Sequence, residues 1–547
     1  MLITAAATAD RLNNVATQAT VASSIPITSE ATGPDLNGIV QAGTQPLVGA
    51  SVYLYAAGTS GYASASIAIS SPSATGAITT DSTGSFKIPA GYACPQLTSQ
   101  LYLVAVGGQV GSSAPNQNLA LMTALGACSN LSSSPVVINE VTTVATASAL
   151  APFSADNPLT GASSYLNIGS SSANAATGLA NAFATVNNLV NVGTGRPLYN
   201  TLAGNAAVPY IEINTFADVL DACAITSGGS AGDGSACGNL FVNANPRQQD
   251  DTSTAPTDTL QAAFDLVKPP DANMAVAPNV AGVYGTGTVN ASSPFQPILT
   301  SAPHDWSIAL NYTSGGGVGG SGSTSSGSSS FAVDALGNLW ITNTNTNSVS
   351  EWSNVGAPIS PAVLSSVAGG FTPASLNAPG PVAIDANGYV WIVNGNGTLA
   401  ELDSTATPVT GSPFLGGGLS LGVGIAIDGM GSVWVTNSGS PGGVARFSNS
   451  GIALSPADGY TDGIANPLPI AIDGSGDVWI QNENRQQNGT AAFLLAELNG
   501  ASGAPAVGVP GGFTATNQRQ IAADASGNIW GPSHCGAYKV PAGYTGN

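Results

Sequence analysis

The C-terminal half of the chain repeats one sentence five times. It reads FAVDALGNLWITN from Phe331 to Asn343, VAIDANGYVWIVN from Val382 to Asn394, IAIDGMGSVWVTN from Ile425 to Asn437 and IAIDGSGDVWIQN from Ile470 to Asn482. A shorter copy, IAADASGNIWG, runs from Ile521 to Gly531. The repeated acid stands at Asp334, Asp385, Asp428, Asp473 and Asp524, a period of 43 to 51 residues. A strand–turn–strand unit at about that period predicts a β-propeller with one blade per repeat. Each unit reads physically in the same way. An apolar strand enters an Asp-x-x-Gly turn, where the carboxylate caps the turn and Gly supplies the positive φ.

The next strand of each copy carries one tryptophan, at Trp340, Trp391, Trp434, Trp479 and Trp530, which are five of the seven in the chain. An unvarying place within a repeat points to packing between blades rather than to a stacking surface for sugars. A third strand follows: VSEWS near Val349, LAELD near Leu399, VARFS near Val444, LAELN near Leu495 and AYKV near Ala537. The stretch connecting the copies has room for a fourth. The strand-like segment Asp305 to Tyr312 is the candidate for a sixth, divergent blade. Six blades are therefore expected, five of them recognisable, with the Gly/Ser tract 314–330 as a long hairpin loop in the first.

Residues 331–541 resemble the NHL and virginiamycin-lyase-like propeller families. That resemblance implies an acid after the tryptophan strand, where this chain has Asn343, Asn394, Asn437 and Asn482. For the lyases it also implies a His and a divalent metal at the propeller axis. The chain has two His, His304 and His534, and neither lies in a repeated segment.

The remainder divides by period. Residues 1–36 read as an extended arm in which Thr20 to Thr28 is a strand seeking a sheet edge. Residues 37–134 show alternation, with Val52, Leu54, Phe86 and Ile88 inward and an Asp81–Gly84 hairpin turn. This is similar to the carboxypeptidase-regulatory-like, collagen-adhesin B-type modules, which implies an Ig-like β-sandwich. Residues 135–277 change to helical stripes: Val141, Val144 and Ala145; Leu179, Phe183, Val186 and Leu189; Phe216, Val219, Leu220 and Cys223 behind caps Asn214 and Thr215; and Leu260, Ala263, Phe264 and Val267 behind Asp258. Residues 278–547 are assigned to the propeller. The fold class expected is mainly β and multidomain.

Charged residues are only 7% of the chain, with nine Lys plus Arg against 29 Asp plus Glu. Nine dispersed cations make no basic stripe, which excludes nucleic acid and anionic membrane surfaces as partners. No run of apolar residues is long enough to span a bilayer. With little charge there is little self-repulsion, which suits an extracellular or cell-surface protein that associates with itself, with other surface proteins or with glycans. The export signal is expected to lie outside this sequence.

Of five cysteines, Cys94–Cys128 and Cys223–Cys237 are expected to be bonded within their own domains, with Cys535 left unpaired. No catalytic, cofactor or metal constellation is read. No nucleophile elbow, phosphate loop or zinc motif occurs. One carboxylate per Asp-x-x-Gly turn is too few for calcium, so the five Asp are assigned to turn capping. Arg446 and Arg485 are read as solvated or edge-protecting. The expected function is that of an extracellular structural or interaction protein, self-assembling through its arm. A carbohydrate- or peptide-binding propeller is the alternative, and a polysaccharide lyase or hydrolase is third.

Overall fold

The structure, a computed structural model, describes residues 31–61, 64–69, 78–154, 167–170, 176–245, 255–268, 279–285, 290–312, 315–318, 328–362, 369–438, 442–464, 466–482, 495–509, 521–524, 527–533 and 536–540. The fold is mainly β with few helices. No described helix is long and apolar enough to cross a membrane. The strand expected at Thr20 to Thr28, and also His534, Cys535 and Arg485, lie outside the described residues. The described end of the arm, Ala31–Thr32, pairs with Ala93–Cys94 of its own unit.

The N-terminal unit is two sheets face to face. One holds Leu36–Ala42, Gln45–Val48, Ser85–Ile88, Gln109–Val110 and Val136–Ile138. The other holds Ser51–Ala56, Ile67–Ile69, Ile78–Thr79, Gln100–Val106 and Ala120–Ala127. Alternation along Gln100–Val106 divides its side chains between two cores. Leu101, Leu103 and Ala105 meet Val52, Leu54, Phe86 and Ile88 between the sheets. Tyr102 and Val104 point the other way, into a core built with helices. The second sheet is thus buried on both faces, as expected of a strand that reads as a continuous apolar run.

Helices α1 (Glu140–Leu150), α2 (Ala176–Leu189), α3 (Tyr210–Ala224), α4 (Ala236–Ala244), α5 (Thr259–Val267) and α6 (Val280–Tyr284) form that second core. Helix α1 starts from a capping box made by Asn139 and Thr142. Its buried Thr142 and Thr143 hydroxyls hydrogen-bond the carbonyl of Met122, stitching it to the sheet. The strand Val136–Ile138, read from sequence as part of the helical stretch, runs parallel to Leu36–Ala42 in the first sheet. Helix α3 begins at Tyr210, earlier than the expected caps. Asn214 and Thr215 lie inside it, where Asn214 donates to the Pro297 carbonyl and Thr215 Oγ1 accepts from the Leu299 N–H. Both disulfides are present, Cys94–Cys128 and Cys223–Cys237, the second joining α3 to α4.

The segment expected to form a sixth blade belongs elsewhere. Trp306 is buried against Phe216 of α3, with ring centres 4.8 Å apart, and Asn311–Tyr312 pairs with Ala206–Ala207. An aromatic side chain found a ready apolar core in the helical unit, and that overrides its strand-like pattern.

Five successive antiparallel sheets follow, in a propeller-like array. The first is Ser328–Val333, Leu339–Asn343 and Ser348–Trp352; the second is Pro379–Ile384, Val390–Asn394 and Leu399–Leu402. The third is Gly422–Ile427, Val433–Asn437 and Gly443–Phe447. The fourth, Pro467–Ile472, Val478–Asn482 and Leu495–Leu498, adds a full fourth strand, Pro505–Val509. The fifth is Ala522–Ala523, Ile529–Ser533 and Gly536–Val540. In the first three sheets the fourth strand shrinks to isolated bridges such as Val349 with Phe371, Leu399 with Phe414 and Val444 with Tyr460. The leading strands are neighbours from sheet to sheet, tied for example by Thr342 Oγ1 to the Gly380 carbonyl and Thr436 Oγ1 to the Leu468 carbonyl. The array meets the helical unit through polar contacts: Asn188 and Asn205 donate to the carbonyls of Val355 and Gly356.

Candidate functional site

The densest repeated chemistry lies where each sheet turns from its first to its second strand. In all five copies the Asp carboxylate accepts hydrogen bonds from its own turn and from the indole N–H of the tryptophan six residues on. Those indole bonds run from Trp340, Trp391, Trp434, Trp479 and Trp530 to Oδ2 of Asp334, Asp385, Asp428, Asp473 and Asp524, at 3.4, 3.3, 3.0, 3.0 and 2.8 Å. Oδ1 of the same Asp takes the turn N–H four residues on, from Asn338, Tyr389, Ser432, Asp477 and Asn528. A single carboxylate therefore closes the turn and aims the ring.

The ring in turn packs on the next sheet. Trp340 meets Val382, Val390 and Ile392; Trp391 meets Val433 and Val435; Trp434 meets Ile470, Val478 and Ile480; Trp479 meets Ile529 and Val540. These four are at most 3% exposed, whereas Trp530 is 41% exposed.

Opposite each tryptophan, across to the third strand, stands a charged residue: Glu351, Glu401, Arg446, Glu497 and Lys539 in order. Burial pushes the Glu351, Glu401 and Glu497 carboxyls up to about 7, with the Asp of the same sheet adding repulsion. In the third sheet Arg446 replaces the acid. It is buried, 3.7 Å from Asp428, and donates to Ser432 Oγ and to the Ala501 carbonyl of the fourth sheet. It is a clamp between sheets, and the solvated role read from sequence is corrected by its burial.

In the fourth sheet three acids meet. Ligand oxygens of Asp473, Asp477 and Glu497 all lie within 4.8 Å of one another. Both oxygens of Asp473 and one of Asp477 are engaged by protein N–H groups: Asp473 takes Ser475, Asp477 and Trp479, and Asp477 Oδ1 takes Asn499 and Gly500. Those oxygens are acceptors that hold the turns of the fourth sheet together.

The row of Asn has a separate task. Asn394 accepts from the Asn377 N–H and donates to the Ser375 carbonyl, Asn437 accepts from Ser420, and Asn482 donates to the Gly463 carbonyl. Each of these buried amides fastens the segment entering its own sheet, Asn394 through both its oxygen and its nitrogen. Of the two His, His304 is exposed beside Asp305 on the segment between the helical unit and the first sheet. The Glu row was missed by sequence reading, although the third strands SEW, AEL and AEL put Glu in one register opposite Trp.

No known protein family and no characterised protein matches the chain. Solved structures resemble it in part. A virginiamycin B lyase from Staphylococcus aureus matches at 14% identity and a TM-score of 0.29, covering 40% of this chain and 71% of its own. A gluconolactonase from Xanthomonas campestris matches at 15% identity and a TM-score of 0.27, covering 39% and 72%. At such similarity nothing of their activities is transferred.

Proposed function

We propose that this chain is an extracellular interaction protein that works by association, with the ends of its repeat array as contact surfaces for a second copy. One observation carries the reading. Inner sheets bury both halves of a repeated interface, a tryptophan face and an aliphatic face. The end sheets expose one half each. Phe331 of the first sheet is 70% exposed, against 6% at Val382 and 9% at Ile470 in the equivalent place of the second and fourth sheets, and Val333 beside it is 58% exposed. At the other end Trp530 is 41% exposed. The two open faces are complementary because four internal junctions already join such faces. A head-to-tail contact of this kind is heterologous and propagates or closes into a ring of copies. The paired disulfides and the low charge fit an oxidising, extracellular setting.

The same ends would meet within one chain if the five-sheet array closes on itself into a ring. Chemical crosslinking of mixed heavy- and light-isotope protein separates the two. Mixed-isotope crosslinks between the first and fifth sheets support association. Crosslinks confined to one isotope support closure, and the role would pass to a closed propeller binding a glycan or peptide.

A further inference from the structure

Away from the repeat array, three acids are buried beside one hairpin of the sandwich. Glu140 is the first residue of α1, and Asp218 and Asp221 are one turn apart on one face of α3. They are 0%, 2% and 6% exposed. The hairpin joining Leu36–Ala42 to Gln45–Val48 turns at Gly43, whose φ is 58°. The Gly43 N–H donates to Glu140 Oε2 at 3.1 Å, and a Cβ placed on Gly43 would stand 2.9 Å from Asp221 Oδ1 and 3.1 Å from Pro294. Next to Pro294, the Phe295 N–H donates to Asp218 Oδ1 at 3.0 Å. Two backbone segments distant in sequence are thus fastened to acids of two helices.

One buried oxygen of each acid, Glu140 Oε1, Asp218 Oδ2 and Asp221 Oδ1, has no hydrogen-bond partner. Neither the hairpin 41–46 nor the segment 293–297 carries a titratable side chain. The elements packed on α1 and α3 bring no counter-charge to these oxygens. On α5, Asp258 caps its own helix at the Gln261 N–H, Asp265 is a further acid, and Lys268 reaches the Ser154 carbonyl. Glu212 stands in the first turn of α3, and Arg196 beside both helices is exposed. The charges that act on the three are their own: Asp221 and Asp218 repel Glu140, and Asp221 repels Asp218. Burying a charge without a partner is among the costliest things a fold can do. The folded state therefore favours the neutral acids. Burial pushes Asp218 and Asp221 up to about 7, and burial with repulsion from Asp221 raises Glu140 well above its usual range.

We propose that Glu140, Asp218 and Asp221 form a pH-operated latch, which holds the Gly43 hairpin and the Pro294–Phe295 segment to α1 and α3 while the acids are protonated and releases them when the acids ionise. The direction follows from linkage. These acids hold protons in the folded state that the unfolded chain gives up at lower pH. The stabilisation is complete below the unfolded pKa and is lost as pH rises through about 7. Ionisation sets like charges beside oxygens that have no donor, and letting water in relieves both. The hairpin and the Phe295 segment are the parts that yield, because the helices and the strand Gln100–Val106 are fixed by two apolar cores.

The test is hydrogen exchange of the full chain, read by mass spectrometry on peptides spanning Gly43 and Phe295 at pH 6 and pH 8.5 and corrected for the intrinsic rise of exchange with pH. Protection of both segments is expected to fall about tenfold or more across that range, while Gln100–Val106 stays protected. Asp221→Asn, nearly isosteric and neutral, is expected to keep much of the protection at pH 8.5. Glu401→Gln, which alters an acid of the repeat array, leaves the fall unchanged. The proposal is overturned if wild-type protection is flat with pH, if Gln100–Val106 loses protection in step with the two segments, or if folded Asp221→Asn loses as much as the wild type. Should Asp221→Asn fail to fold by circular dichroism, the wild-type comparison alone decides.

Discussion

The guanidinium of Arg446 lies 4.5 Å from the ring centre of Trp434, at the register position where other sheets place Glu351, Glu401 and Glu497. One repeat thus solves the same packing problem with the opposite charge. The stack, the ion pair with Asp428 and the hydrogen bond to the Ala501 carbonyl make Arg446 a link between two sheets. Arg446→Gln leaves Asp428 without its counter-charge and is expected to cost about 3–5 kcal/mol in chemical denaturation. Arg446→Lys recovers only part of this, since an ammonium cannot stack and fork at once. Full rescue by Lys would reduce the residue to a point charge.

The Asp–Trp bond is worth different amounts along the array. Asp385 serves Trp391, which is 0% exposed, while Asp524 serves Trp530, which is 41% exposed. Removing an acceptor from a buried donor costs more than removing one from a donor that water can reach. Asp385→Ala is expected to lose about 2–3 kcal/mol and Asp524→Ala about 1 kcal/mol, read as shifts in urea midpoint at constant slope.

Much of this was legible beforehand because it repeats. The repeat announced the positions of the turn Asp and the Trp, but it assigned all five Trp one buried place, whereas Trp530 in the last sheet is 41% exposed because no further sheet packs on it among the described residues. The Glu row recurs too, but a lone Glu on a strand reads as solvated until its cross-strand neighbour is known. Asp218 and Asp221 were harder still. On α3 they interrupt an apolar stripe and suggest a solvent face, but Asp221 lies beside Gly43 and Asp218 accepts from the Phe295 N–H, segments distant in sequence. Trp306 misled for a related reason. Its strand-like flanks are local, and the core that claimed it is assembled from distant helices.

Stability of the array should depend on pH in a definite sense. Glu351 and Glu401 have folded-state pKa values raised to about 7, above their ordinary range. The native state therefore holds protons that the unfolded state has already lost. The stabilisation is complete below the unfolded pKa and is lost as pH rises toward and through 7. Urea melts of the wild type are expected to weaken from pH 4.5 to 8. Glu401→Gln should be flatter over that window and more stable than the wild type at pH 8. A wild type that strengthens with rising pH would contradict the assignment.

The Cys223–Cys237 bond closes a loop of sequence separation 14 between α3 and α4, whose buried side chains share one core with the second sheet of the sandwich. Replacing both by Ser is expected to cost about 3 kcal/mol on a chain-entropy account. Calorimetry should show the sandwich and helices melting earlier as one unit, with the transition of the repeat array unmoved. Two separate transitions for sandwich and helices would break the shared-core description.

Association through the open ends of the array is tested most directly by sedimentation velocity of the full chain across a hundredfold range of concentration. The account predicts that the wild type grows with concentration. Phe331→Asp and Trp530→Ser each abolish growth when present alone, and each leaves the fold intact by circular dichroism, because these side chains are exposed in the single chain. A mixture of the two variants should form pairs and no longer species, since each retains one good end. A wild type that stays monomeric throughout, or variants that associate as the wild type does, would contradict the claim.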